Sequence, residues 1–92
     1  MSTNAEQNTG SEILSNGAVL IERIHTPQGS FVLARTEGTQ PFVTWQEVEE
    51  YHKLVYLNGH YFESIFDAVE DFRVRILRIL MVPSRWVTLP MG

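Results

Sequence analysis

The chain predicts an α+β domain: an antiparallel β-sheet of about four strands, in meander order, packed on one long C-terminal helix. Three observations predict it. Two runs dense in β-branched and aliphatic residues, AVLIERIH (18–25) and SFVLART (30–36), flank the turn Thr26-Pro27-Gln28-Gly29. Eight of the ten aromatic residues fall between Phe42 and Phe72, a stretch of 31 residues that also holds seven acidic side chains. From Ser64 onward, apolar residues recur at helical spacing.

Residues 1–17 are rich in Ser, Thr, Asn, Gln and Gly. They carry too little apolar surface to offset ordering entropy, so a disordered leader is expected, with Ile13 and Leu14 able to dock locally. Residues 18–92 then form a single domain. The first two strands pair as a hairpin, because Pro at the second turn position and Gly at its end suit a type I turn with a Gly bulge. Glu37 to Pro41 is the next loop, and Phe42–Trp45 restarts a strand.

Gln46–His60 admits three readings. The adopted one continues the meander: strand three runs to about Val48, turns near Glu49–His52, and returns as strand four to Phe62. A helical alternative rests on the capping-box pair Thr44 and Glu47, the Glu49–Lys53 pair and a cap at Asn58-Gly59. A third makes Asn58-Gly59 a tight hairpin turn.

Ser64–Val82 reads as the helix. Ser64 caps it, and Ile65, Ala68, Val69, Phe72, Ile76, Ile79 and Leu80 form one apolar stripe. Acids come early and arginines late, matching the helix dipole. Pro83 ends it. Phe66 and Leu77 widen the stripe, and Val74 and Met81 fall near its far side. That excess implies a partner or a homodimer through the helix or the tail, unless Trp86, Val87 and Leu89 of the tail 83–92 fold back over it. One sheet face packs the helix, and the opposite face is expected to lie open.

Ninety-two residues bury a modest core, roughly 60–65% of the unfolded surface, and leave no room for a substrate domain beside a cofactor domain. Eleven acids against seven bases give a net charge of −4, which disfavours a general phosphate-backbone binder. The absence of cysteine excludes disulfides and thiolate metal sites, and is compatible with a reducing cytoplasm. Residues 1–16 lack the basic start and apolar run of a signal peptide. The most apolar stretch, Ile76–Val82, contains Arg78 and falls far short of the roughly 20 residues a spanning helix needs. A cytoplasmic protein without membrane association is expected.

No catalytic motif is present: there is no G-x-S-x-G elbow and no glycine-rich phosphate loop. His25, His52 and His60 lack ligand spacing, so no metal and no cofactor is expected. Glu47, Glu49 and Glu50 near His52 superficially resemble a base and its orienter, but such a run is more often a solvated face. The sharper reading makes Glu47, Glu49 and Glu50 a negative surface for a basic partner, with Tyr51, Tyr56 and Tyr61 as anchors. The competing reading uses Arg73, Arg75, Arg78 and Arg85 as a phosphate-contacting patch. Its plainer counterpart is dipole matching and pairing to Glu70 and Asp71.

The chain is short, cysteine-free, acidic, poor in motifs, and built as a minimal sheet with a helix. In that overall character it resembles the small phage- or mobile-element-encoded inhibitors, including anti-CRISPR proteins. Such inhibitors share no motif, so the resemblance assigns no residue a role. It implies a non-enzymatic protein that stoichiometrically occludes a protein or ribonucleoprotein complex handling nucleic acid in bacterial defence. The alternatives are a small nucleic-acid-binding regulator and a small oligomeric enzyme or ligand-binding subunit.

Overall fold

A computed structural model describes residues 12–88. It contains four strands, β1 (Val19–Thr26), β2 (Gly29–Arg35), β3 (Phe42–Glu50) and β4 (Lys53–Phe62), followed by one helix, α1 (Ile65–Thr88). The strands form one antiparallel sheet in the order β1-β2-β3-β4. The α+β arrangement of a meander and a C-terminal helix is therefore present.

The β1–β2 hairpin follows from local chemistry. Thr26 pairs with Gly29 across Pro27-Gln28, and Gly29 sits at φ 107, a conformation open to glycine. The β3–β4 hairpin is built differently. Glu50 pairs with Lys53, leaving a two-residue loop in which Tyr51 (φ 53) and His52 (φ 66) are both left-handed. Positive φ at both central positions is the type I′ turn, whose twist matches the strands.

Residues 46–60 are thus strand, turn and strand. The helical alternative fails because period two wins: Val43, Trp45 and Glu47 all turn inward on one sheet face. The Asn58-Gly59 turn fails too. Those two residues form a bulge opposite Trp45, where the register slips between Thr44↔His60 and Gln46↔Leu57. Asn58 takes the left-handed position (φ 55), and Gly59 makes room for the indole. A Cβ on Gly59 would lie 2.7 Å from Trp45 Nε1.

Both sheet faces are covered. On one, Phe31 and Leu33 pack against Ala68 and Phe72, with Ile24, Phe42, Phe62, Ile65, Ile76 and Ile79 around them. On the other, Val32, Ala34, Val43 and Trp45 pack against Leu14 and Ala18. The expected open face is therefore closed by the chain's own N-terminal arm. Residues 12–18 fold back through Leu14 N–H to the Ala18 carbonyl (2.8 Å) and a bridge between Ile13 and Val19. Leu14 is 3% exposed. A disordered leader reaching Gly17 is thus incorrect for residues 12–17, because one buried leucine and the Asn16-Gly17 turn chemistry suffice to dock them. The rest of that expected leader lies outside the described residues.

The Ser64 cap is present: its Oγ accepts from the Phe66 N–H at 3.1 Å. Of the expected stripe, Ile65, Ala68, Phe72, Ile76 and Ile79 face the sheet. Val69 and Leu80 are exposed at its margin. The helix does not end at Pro83 but is assigned to Thr88. Proline removes one hydrogen bond, to the carbonyl four residues back, while its fixed φ remains helical, so a helix can pass through it at about 3 kcal/mol. Docking of Trp86, Val87 and Leu89, and the side chains of Met81 and Arg85, lie outside what is described.

Candidate functional site

The six acidic and tyrosine residues singled out above do not form one surface. Glu47 points into the sheet face that carries the N-terminal arm and is 5% exposed. A buried carboxylate needs partners, and Glu47 has three bonds. Arg23 donates through Nε and a terminal nitrogen, each at 2.9 Å, and the Tyr56 hydroxyl donates at 2.8 Å. Arg23 in turn forks onto Glu12 with two bonds of 3.0 Å. Burial pushes the Glu47 carboxyl up, but the bonds from Arg23 and Tyr56 outweigh it and hold the group below its ordinary value. The Arg23 guanidinium is raised, first by Glu47 and then by Glu12, against a smaller effect of burial. Burial and then the bond to Glu47 raise the Tyr56 phenol.

Tyr56 also lies against Trp45, with ring centroids 5.4 Å apart, and Tyr61 meets the same indole edge-on at 6.1 Å. Glu47 and Tyr56 are therefore structural, and Tyr61 is a half-covered packing residue. A partner role for Glu47 and Tyr56 does not fit this network: Arg23, which sequence reasoning passed over, pairs with the Glu47 charge, while Tyr61 stays 46% exposed. The signal was an arginine and a glutamate each alternating onto an otherwise apolar sheet face.

Glu49, Glu50 and Tyr51 remain exposed at the β3–β4 tip, and Tyr51 is 94% exposed. Tyr61 lies near the other end of β4, about 25 Å away at strand rise. The tip carries strain as well as exposure. A left-handed φ is unfavourable for a bulky side chain, and Asn-Gly is the usual occupant of such a turn.

The arginines divide in a similar way. Arg75 donates to the Thr44 carbonyl (3.2 Å), the Thr44 hydroxyl (3.0 Å) and the Asn58 carbonyl (2.8 Å), and lies over the Phe31 ring. It fastens α1 to the sheet. Burial lowers its pKa, opposed by the charge of Asp71. Asp71 accepts from the Thr44 hydroxyl at 2.6 Å and lies 3.0 Å from His60 Nδ1. Arg73 lies 3.8 Å from Glu70. Arg78 is exposed and has no ion pair or hydrogen bond among the described residues. Arg73, Arg75 and Arg78 therefore do not act as one phosphate patch, and the Arg85 side chain lies outside the described residues.

A shallow groove of about 640 Å³ runs past Glu12, Arg23, His25, Glu47 and Leu54. His25 Nδ1 lies 2.7 Å from the Ser30 hydroxyl, the spacing of a base and a nucleophile. Ser30 is 9% exposed, so that oxygen is largely shielded from a substrate. Among the described residues, no group of three or more His, Asp or Glu side chains is placed to hold a metal ion, and no helix is long and apolar enough to cross a membrane. Compared with protein-family models, curated proteins and solved structures, the chain matches none.

Proposed function

We propose that the protein is a non-catalytic binding protein that occludes a macromolecular partner with the tip of its β3–β4 hairpin. One observation carries this reading: Tyr51 is 94% exposed yet held at φ 53, a position that a small residue would occupy at lower free energy. The fold gains nothing from a tyrosine there, because the ring touches no core. Strain retained without a packing return is a mark of a working segment. As an anchor, tyrosine brings contact area and a polar tip at low entropic cost. Glu49 and Glu50 beside it would steer the tip toward a basic surface.

The resemblance to small phage-encoded inhibitors supplies the partner class: a bacterial protein or ribonucleoprotein complex whose basic, nucleic-acid-contacting residues the tip would cover. Against such a partner, the protein would act in the cytoplasm. The regulator reading has less support, since Arg75 is committed to the sheet and the net charge is −4.

The test is photo-crosslinking in bacterial extract, with a benzophenone-bearing residue at position 51 and, as control, at the exposed position 37. A discrete adduct from position 51 alone supports the reading. No adduct at 51, or an equal one at 37, sinks it. Charge reversal of Glu49 and Glu50 should then slow association with the captured partner about tenfold or more while changing dissociation less.

A further inference from the structure

The exposed flank of α1 is apolar in a pattern that is its own mirror image. Phe66, Val69, Leu77 and Leu80 are 82%, 37%, 52% and 52% exposed. At 100° per residue they lie within about 80° of arc, with Arg73 among them. The intervals from Phe66 through Val69, Arg73 and Leu77 to Leu80 are three, four, four and three residues, symmetric about Arg73.

We infer that this flank pairs with the same flank of a second copy, helices antiparallel, with a two-fold axis beside Arg73. In that arrangement Phe66 meets Leu80 of the second copy, Val69 meets its Leu77, and the reverse contacts follow by symmetry. Beside the seam, Ile24, Phe72, Arg73, Ile76 and Leu77 line a groove of about 310 Å³ between α1 and β1, open to an incoming side chain.

Charge favours a second copy over an unrelated apolar partner. Arg73 stands at the centre of the flank and Glu70 just outside its edge, beside Leu77, with side chains 67% and 72% exposed. A purely apolar surface would bury them without new partners. Across the two-fold, Arg73 of each copy lies about 4.5 Å along the axis from Glu70 of the other, three residues at 1.5 Å rise. The two Arg73 side chains face each other at the axis, and a glutamate from each copy flanks them, which offsets their repulsion. Because the contact is isologous, it closes at two chains and does not propagate into a filament. This inference is independent of the hairpin tip, which lies on another part of the molecule.

The test uses the full chain. Sedimentation equilibrium from about 1 to about 200 μM should show a reversible species of twice the 10.6 kDa chain mass. Leu77→Glu should weaken it by about 30-fold or more, since the change acts in both halves of the interface. Glu70→Arg or Arg73→Glu alone should also weaken it, and the double swap should restore it. The chain has no cysteine, so single replacements report cleanly. Arg73→Cys should crosslink to a dimer on oxidation, and Arg78→Cys should not. A monomer throughout that concentration range overturns the inference. So does a dimer that survives Leu77→Glu, or one in which Arg78→Cys crosslinks as fast as Arg73→Cys.

Discussion

Replacing Arg23 by Met removes the cation that neutralises Glu47, and its effect can be worked from the structure. Glu47 is 5% exposed and would keep only the Tyr56 bond, at 2.8 Å. Breaking a buried ion pair by deleting one partner costs about 3–5 kcal/mol. The Arg23 side chain is 20% exposed at the edge of an open groove, where water can reach the orphaned carboxylate. That lowers the expectation to about 2–3 kcal/mol, or a fall in Tm of about 10–20 °C for a domain this size. The outer pair contributes little, because the Glu12 side chain is 51% exposed and solvent screens it, so Glu12→Gln should shift stability by about 0.5 kcal/mol or less. The double variant Arg23→Met/Glu47→Met removes both charges and leaves no buried ion, so it should return to within about 1 kcal/mol of the parent. Thermal and urea denaturation at pH 7, followed by circular dichroism, measure the parent, Arg23→Met, Glu47→Met, their double variant and Glu12→Gln. A double variant as unstable as the sum of its singles would refute the reasoning, since the two groups would then act independently.

Three further outcomes follow from the same geometry. Tyr51→Asn with His52→Gly relieves two left-handed positions, so the folded state should gain about 1–2 kcal/mol, read as a rise in Tm. Gly59→Ala puts a methyl 2.7 Å from Trp45 Nε1 and 3.1 Å from the Tyr61 ring, and should destabilise by about 1–3 kcal/mol in urea titration. The Glu47 carboxyl is depressed in the folded protein, so the unfolded chain binds the proton more readily. Its stabilisation is therefore present above its ordinary value of 4.5 and is lost as pH falls through the lower folded value. Tm below about pH 4.5 should consequently fall more steeply for the parent than for Glu47→Gln.

What the sequence discloses depends on how local the cause is. Thr26-Pro27-Gln28-Gly29 and Ser64 are decided by their own neighbours, and the first hairpin and the helix start fall where that chemistry puts them. Gln46–His60 carries two conflicting local signals, a capping-box pattern and an alternating pattern. Contacts from Leu14 and Val32 to Val43 and Trp45 resolve it, and those reach across the chain. The candidate site was legible only in part for the same reason. Glu47 and Tyr56 read as exposed groups because nothing nearby in sequence reveals that residues 12–18 cover that sheet face. The partner of Glu47 is 24 residues away. Tyr51 needed no distant information, since a turn tip has no second layer to bury it.

Binding and stability are predicted to separate at that tip, and one measurement exposes the separation. The dissociation constant of the crosslinked partner is determined by calorimetry for the parent and for Tyr51→Asn/His52→Gly, below the Tm of both. The account predicts a more stable protein that binds about 30-fold or more weakly, the loss of one anchor residue. Unchanged affinity in the more stable variant would contradict it, and would mean that the hairpin tip is only a strained turn.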